Sequence, residues 1–209
     1  MSTDLAGQLR HGVNALGLTL ADAIQQQLIG YIQLLDKWNR VYSLTAVREP
    51  DRMIALHLLD CLAILPHVQA RRLLDVGSGG GMPGIILAIC RPDLQVTMID
   101  SNSKKTGFLQ QAVINLQLPN VMVVTSRVEQ YRPGQLFDLI TSRAFAELGD
   151  FVDWSRHLLS AGGRFAAMKG VYPEDEIRRL PDGFVVNEAI PLNVPGLDAE
   201  RHLVIVRAA

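Results

Sequence analysis

The chain has 209 residues, 48% of them hydrophobic and 20% charged, with a formal net charge of −1. This is the composition of one soluble globular domain with a full core and room for a small appendage, and no apolar run reaches the length of a membrane span. The near-zero charge gives no support to nucleic-acid binding as a bulk property, although charge segregated onto one face leaves the total unchanged.

Residues 1–18 are polar and glycine-punctuated, with weak periodicity. From Thr19 the pattern sharpens: Leu20, Ile24, Leu28, Ile32, Leu35 and Trp38 recur at helical spacing. This predicts a helix with Thr19 as cap, Asp22 in the first turn and an end near Asn39. After residues 41–46, Asp51 is placed to cap a second helix reaching about Leu65, closed by Pro66. His57 and Asp60, three apart, share a face of that helix and either hold it to a neighbour or lie near a ligand. Cys61 and Cys90 sit in apolar helical contexts. Met1-Ser2-Thr3-Asp4 lacks the basic-then-apolar pattern of an export signal, so both thiols are expected to be reduced and buried in a cytoplasmic protein, with no metal site. Residues 1–70 read as a helical extension packed on a core formed by residues 71–209.

From Arg72 the pattern switches to alternating strand and helix. Strands are predicted at 73–76, 95–100, 121–125, 137–141 and 164–168, and helices at 84–90, 103–116 and 148–159. Short strands separated by helices imply a doubly wound parallel sheet with right-handed crossovers. Residues 183–190 and 203–206 also read as strands, but only a loop containing Pro195-Gly196 lies between them, which predicts an antiparallel hairpin on the sheet edge. A mostly parallel, seven-stranded α/β sheet ending in such a hairpin is similar to the Rossmann-like class I methyltransferase fold, which uses S-adenosylmethionine (SAM). A plain dinucleotide-binding domain more often continues with parallel strands.

The stretch Leu73-Leu74-Asp75-Val76-Gly77-Ser78-Gly79-Gly80-Gly81-Met82-Pro83-Gly84 is the organising motif. It reads as strand, tight turn and helix start, the first nucleotide-binding turn of an open α/β sheet. The glycines match the dinucleotide pattern through Gly79, Gly81 and Gly84, and the SAM-enzyme pattern through Gly77, Gly79 and Gly81, so spacing alone leaves both cofactors open. Asp100, ending the second strand, suits the two ribose hydroxyls of an adenosine, which both cofactors carry. Asp75, ahead of the loop, repels a pyrophosphate and suits a cationic amino-acid tail, or is satisfied by loop amides; the first reading favours SAM. Val128 is placed to pack on an adenine, with backbone groups around Glu129 reading its edge. Arg143 with Phe145, and Lys169, are delivered to the carboxyl ends of strands, where ligands bind in such sheets.

These stretches together resemble the glucose-inhibited division protein B (RsmG) family of bacterial small-subunit ribosomal RNA methyltransferases. The resemblance runs from about residue 28 to 207. It rests on Trp38-Asn39-Arg40-Val41-Tyr42-Ser43-Leu44-Thr45-Ala46, His57-Leu58-Leu59-Asp60-Cys61-Leu62, the glycine loop, Ser126-Arg127-Val128-Glu129, Ser142-Arg143-Ala144-Phe145-Ala146, Met168-Lys169-Gly170 and Arg201-His202-Leu203-Val204. Ser43 stands where the family usually has Asn, and Cys61 where it usually has Ser; Gly80 and Met82 are mild departures in the loop. The resemblance implies SAM-dependent methylation of N7 of a guanine in 16S rRNA, in the hairpin loop near the decoding centre. It also implies that Gly77, Met82, Val128, Glu129 and Arg143 contact SAM.

Guanine N7 carries a lone pair and no proton, so the reaction needs positioning and no general base is expected. Arg143 and Lys169 are then positioning groups, and Gly77, Gly79, Met82, Asp100, Val128, Glu129 and Arg143 form the cofactor set. Asn39, Tyr42, His57, Lys169 and Arg201 are candidates for RNA contact. The expected partner is 16S rRNA or the small ribosomal subunit, with no DNA, no membrane and a monomeric enzyme. Competing readings are a SAM methyltransferase for a small molecule or protein, an NAD-dependent oxidoreductase and a non-catalytic SAM-binding module.

Overall fold

Seven apolar segments form one sheet whose order across its width is 121–125, 95–100, 72–76, 137–143, 159–169, 202–208 and 184–191. The computed structural model describes residues 4–209. Strands β1 (Arg72–Val76), β2 (Gln95–Asp100), β3 (Val121–Thr125), β4 (Phe137–Arg143) and β5 (Leu159–Lys169) are mutually parallel. The last two, β6 (Phe184–Pro191) and β7 (His202–Ala208), form the antiparallel hairpin expected from the sequence. It is β7, the later strand, that pairs with β5, leaving β6 on the edge. Burial explains this order: Leu203, Val204, Ile205 and Val206 form a continuous apolar run that needs cover on both faces, whereas β6 is half-exposed along its length.

Alternation within strands separates two cores. Leu73, Leu139, Ala166 and Leu203 point to one face; Leu74, Ile140, Phe165 and Val204 point to the other. The first face is covered by α2 (Asp22–Tyr42), α5 (Gly84–Cys90) and α6 (Ser103–Asn115), and the second by α7 (Leu148–Ser155). The sheet order reverses beside β1, between β2 and β4, so the crevice outside the carboxyl ends of β1, β2 and β4 is the expected ligand site of this topology.

Three expectations about the first 70 residues need correction. Residues Leu5–Ala15 form a helix, α1, capped by Asp4, whose Oδ1 accepts the Gly7 N–H at 2.8 Å. Its periodicity is weak because Gly12 sits at the packing contact, where a Cβ would lie 2.3 Å from Leu59 Cδ1. Helix α2 starts after Ala21, without a side-chain cap, so Thr19 is not its cap; it runs to Tyr42 and ends in Ser43 in the left-handed conformation (φ 50°, ψ 53°). Asp51 is not a cap either. Pro50 opens α3 (Pro50–Met53) with Asp51 in its first turn, and the chain continues through a π-helical stretch, Ile54–Leu59, into α4 (Asp60–Leu62). The helix α8 (Glu174–Arg178) is only five residues long, too short to show in the hydrophobic periodicity. No helix among the described residues is long and apolar enough to cross a membrane.

Candidate active site

The turn after β1 is built by backbone constraints. Gly77, Gly79 and Gly81 have φ of 68°, 55° and 92°, the left-handed region that L side chains avoid. Gly77 is the tightest: a Cβ there would lie 2.3 Å from Phe145 Cδ2. The turn is held from three sides. Gly77 and Ser78 N–H groups donate to the Ile99 carbonyl at 2.9 and 3.2 Å, and Gly79 N–H donates to Asp100 Oδ2 at 3.0 Å. From α2, the fully buried Tyr31 hydroxyl donates to the Gly80 carbonyl at 2.6 Å. Tyr31 is a supporting residue that sequence reasoning missed, since nothing local distinguishes it from an ordinary core residue of the helix.

Two cavities open on either side of Gly77. The smaller, about 360 Å³, is bounded by Asp100, Val128, Glu129, Phe145 and Trp154. The larger, about 520 Å³, is bounded by Thr45, Asp60, Met82, Arg143, Lys169 and Arg201. Gly77, Lys105 and Ala144 belong to both, so they form one trough across the strand ends. Asp100 is almost buried; its Oδ1 accepts the Asn102 N–H at 2.9 Å, and Lys105 Nζ lies 3.8 Å from Oδ2. Each carboxylate oxygen keeps a free lone pair, the requirement for gripping a vicinal diol. Val128, buried in a short 3-10 helix (Val128–Gln130), lines the same cavity as Phe145 and Trp154, whose rings meet edge-on at 5.9 Å. This slot fits a flat aromatic base beside a diol acceptor, the two ends of an adenosine. Trp154 was missed; its signal was a tryptophan at the margin of the apolar face of α7.

Asp75 behaves differently from its first reading. It is fully buried and its Oδ2 accepts the Gly84 N–H at 3.0 Å, while Oδ1 has no hydrogen-bond partner. Burial pushes its carboxyl up to about 7, against the opposing hydrogen bond from Gly84. It lines neither cavity and supports the turn from below through the Gly84 N–H.

The larger chamber is organised by Asp60, one of the two helix residues whose role the sequence leaves open. Asp60, 3% exposed, takes Arg143 Nη1 on Oδ2 and Arg201 Nε on Oδ1, both at 3.0 Å. Arg143 is further fixed by the Leu56 carbonyl (3.0 Å) and by Met82 Sδ (3.0 Å). Arg143, Met82 and Arg201 are thus brought together, as is Lys169 on the same wall. Lys169, however, is engaged: its Nζ donates to the Ala146 carbonyl at 3.0 Å and to Glu176 Oε2 at 2.6 Å. Glu176 also accepts the Leu148 N–H at the start of α7, so Lys169 braces the β5 end rather than presenting a free cation.

Three candidates for RNA contact are placed elsewhere. Asn39 is 1% exposed; its Nδ2 donates to the Val47 carbonyl (3.0 Å) and its Oδ1 accepts the Thr45 N–H (2.9 Å), which sets Leu44 and Thr45 on the cavity wall. His57 is 5% exposed and bonds Thr45 Oγ1 through Nε2 at 2.9 Å. Burial, with the nearby Arg143 charge, lowers its pKa to about 4, so it is a neutral internal link. Tyr42 is exposed but stacks on Trp38 (5.1 Å) on the outer side of α2, away from the trough. Burial also pushes the thiols up, Cys90 to about 12 and Cys61 further, and both are unpaired. Among the described residues no group of three or more His, Cys, Asp or Glu is placed to hold a metal ion.

Residues 24–204 match the family model described as rRNA small subunit methyltransferase G. Relatives named "Ribosomal RNA small subunit methyltransferase G" include one from Laribacter hongkongensis, 57% identical over 96% of this chain and 97% of that protein. Another, from Neisseria meningitidis serogroup A, is 56% identical over 95% and 96%. A methyltransferase from Thiobacillus denitrificans solved with S-adenosyl-L-homocysteine has a similar fold, with a TM-score of 0.55 at 13% identity over 85% of this chain and 97% of that one. The N-methyltransferase NodS from Bradyrhizobium japonicum, solved with the same compound, also scores 0.55, at 16% identity over 85% and 98%.

Proposed function

Because this chain belongs to the rRNA small subunit methyltransferase G family, we propose that it transfers the methyl group of S-adenosylmethionine to N7 of a guanine in 16S rRNA, in the cytoplasm and as a monomer. The observation that carries the chemistry is the trough. An adenosine slot of Asp100, Val128, Phe145 and Trp154 leads past Gly77 into a chamber walled by Met82, Arg143 and Arg201. The cofactor supplies an electrophilic methyl on a sulfonium. Gly77 and Gly79 would leave its path clear of side chains, Asp100 would hold the ribose, and Glu129 would flank the adenine. Residues 1–70 are read as an extension on a core of residues 71–209, and they contribute Thr45 and Asp60 to the chamber wall.

The chain's own residues do the work of placement. Guanine N7 offers an in-plane lone pair and no proton to remove, so in-line approach to the methyl is the principal requirement. Arg143, clamped on three sides, gives the chamber a rigid wall beside Met82. Arg201 at the mouth is the candidate for a phosphate or the guanine O6. A target guanine in a hairpin loop reaches such a chamber without disrupting a long duplex.

A tritiated-methyl transfer assay tests this on naked 16S rRNA, assembled small subunits and subunits in which the target guanine is replaced. Label should enter the first or second substrate and not the third. Equal labelling of the third refutes the site assignment, and labelling of none of them refutes the rRNA reading.

A further inference from the structure

The chamber on the methyl side of Gly77 holds two arginines and one carboxylate. Asp60 spans them: one oxygen on Arg143, the other on Arg201, each at 3.0 Å, with Arg201 reaching it across 141 positions of sequence. The other cations on the wall have partners of their own. Lys169 is paired with Glu176 at 2.6 Å, and Lys105 lies 3.8 Å from Asp100. The Arg143–Asp60–Arg201 group therefore carries a net charge of +1, and without the Asp60 charge it would carry +2.

This matters because methyl transfer changes the charge of the cofactor. The carbon–sulfur bond breaks with its electron pair going to sulfur, and the new carbon–nitrogen bond uses the N7 lone pair. The sulfonium becomes a neutral thioether and the positive charge moves to the guanine ring. A chamber that must accept a cationic cofactor and release it as a neutral thioether, while the methylated base leaves with the charge, is sensitive to each fixed charge on its wall. Asp60 is almost wholly buried, where such interactions are poorly screened.

Resting on the function proposed above, we propose that Asp60 is the counter-charge of the methyl-donor chamber: it holds both guanidinium groups in place and cancels one of their charges, so that the sulfonium is tolerated. Asp60 is a positioning and electrostatic residue; it takes no part in bond making. Its two roles separate experimentally, because misplaced arginines weaken binding of S-adenosylmethionine and S-adenosylhomocysteine alike, whereas lost charge weakens only the cation.

Titration calorimetry of both compounds against wild type, Asp60→Asn and Asp60→Glu reads the difference. Asp60→Asn should lower the preference for S-adenosylmethionine over S-adenosylhomocysteine by about five- to thirtyfold, the order expected of one unit charge acting across a partly screened chamber. Asp60→Glu should restore most of that preference. Arg201→Gln, which removes a cation and leaves Asp60 in place, should shift the preference towards S-adenosylmethionine, and it serves if Asp60→Asn does not fold. An unchanged preference in Asp60→Asn, or in Arg201→Gln, overturns the inference. A wild-type protein that binds neither compound overturns the proposed function, and this inference with it.

Discussion

Gly77 and Gly79 separate two reasons why the turn after β1 needs glycine. Both have positive φ, 68° and 55°. At Gly79 the nearest atom to an added Cβ is the Gly77 carbonyl oxygen at 3.7 Å, an ordinary contact. Gly79→Ala therefore meets only the left-handed strain, about 1 kcal/mol. At Gly77 the same methyl would lie 2.3, 3.0 and 3.1 Å from Cδ2, Cγ and Cε2 of Phe145. Phe145 packs edge-on against Phe151 at 6.5 Å and Trp154 at 5.9 Å, so pushing its ring aside disturbs that aromatic cluster and the slot it walls. Gly77→Ala should then cost a further 1–3 kcal/mol or so of overpacking, about 2–4 kcal/mol in total. Urea unfolding of the two variants measures the difference. S-adenosylhomocysteine binding should fall much more in Gly77→Ala, because the displaced ring is a wall of the adenosine slot. In Gly77→Ala/Phe145→Leu the extra cost should largely disappear. Equal destabilisation of the two single variants, or no recovery in the double, would refute the steric account.

Two further outcomes follow from buried or strained groups. Asp75 is pushed up to about 7 in the folded protein, against an ordinary value of 3.8, so ionising it opposes folding and wild-type stability from this group declines as pH rises from about 4 to about 7. Asp75→Asn keeps an acceptor for the Gly84 N–H and lacks that decline; its stability relative to wild type should improve by about 2 kcal/mol between about pH 5.5 and about pH 7.5. Parallel stability curves for the two proteins would show that Asp75 does not titrate in this range. Ser43 closes α2 in the left-handed conformation, which Asn adopts more readily, so Ser43→Asn should raise stability by about 0.5 kcal/mol and the melting temperature by about 1–2 °C. A lower melting temperature would contradict this.

What the sequence alone determined about this protein is the part that depends on neighbours along the chain. Alternation placed five parallel strands, turn chemistry placed the glycine loop, and strand ends delivered Asp100, Arg143 and Lys169 to one rim, because a parallel sheet puts all its carboxyl ends on one side. Asp75 and the terminal hairpin tilted the choice between cofactors that the glycine spacing left equal, and the resemblance of separated motifs narrowed it to an rRNA methyltransferase. The tertiary structure decided what those side chains do once they arrive. Lys169 finds Glu176 on a helix too short to be read from periodicity, and His57 and Asn39 turn inward because the segment at residues 43–49 needs internal hydrogen bonds. Asp75 is sealed below the turn, and of the two roles the sequence leaves open for it the structure shows the one satisfied by a loop amide, the Gly84 N–H. Asp60 and Arg201 meet only because β7 inserts beside β5, and that insertion follows from the need to bury an apolar strand on both faces, a demand set by the whole sheet.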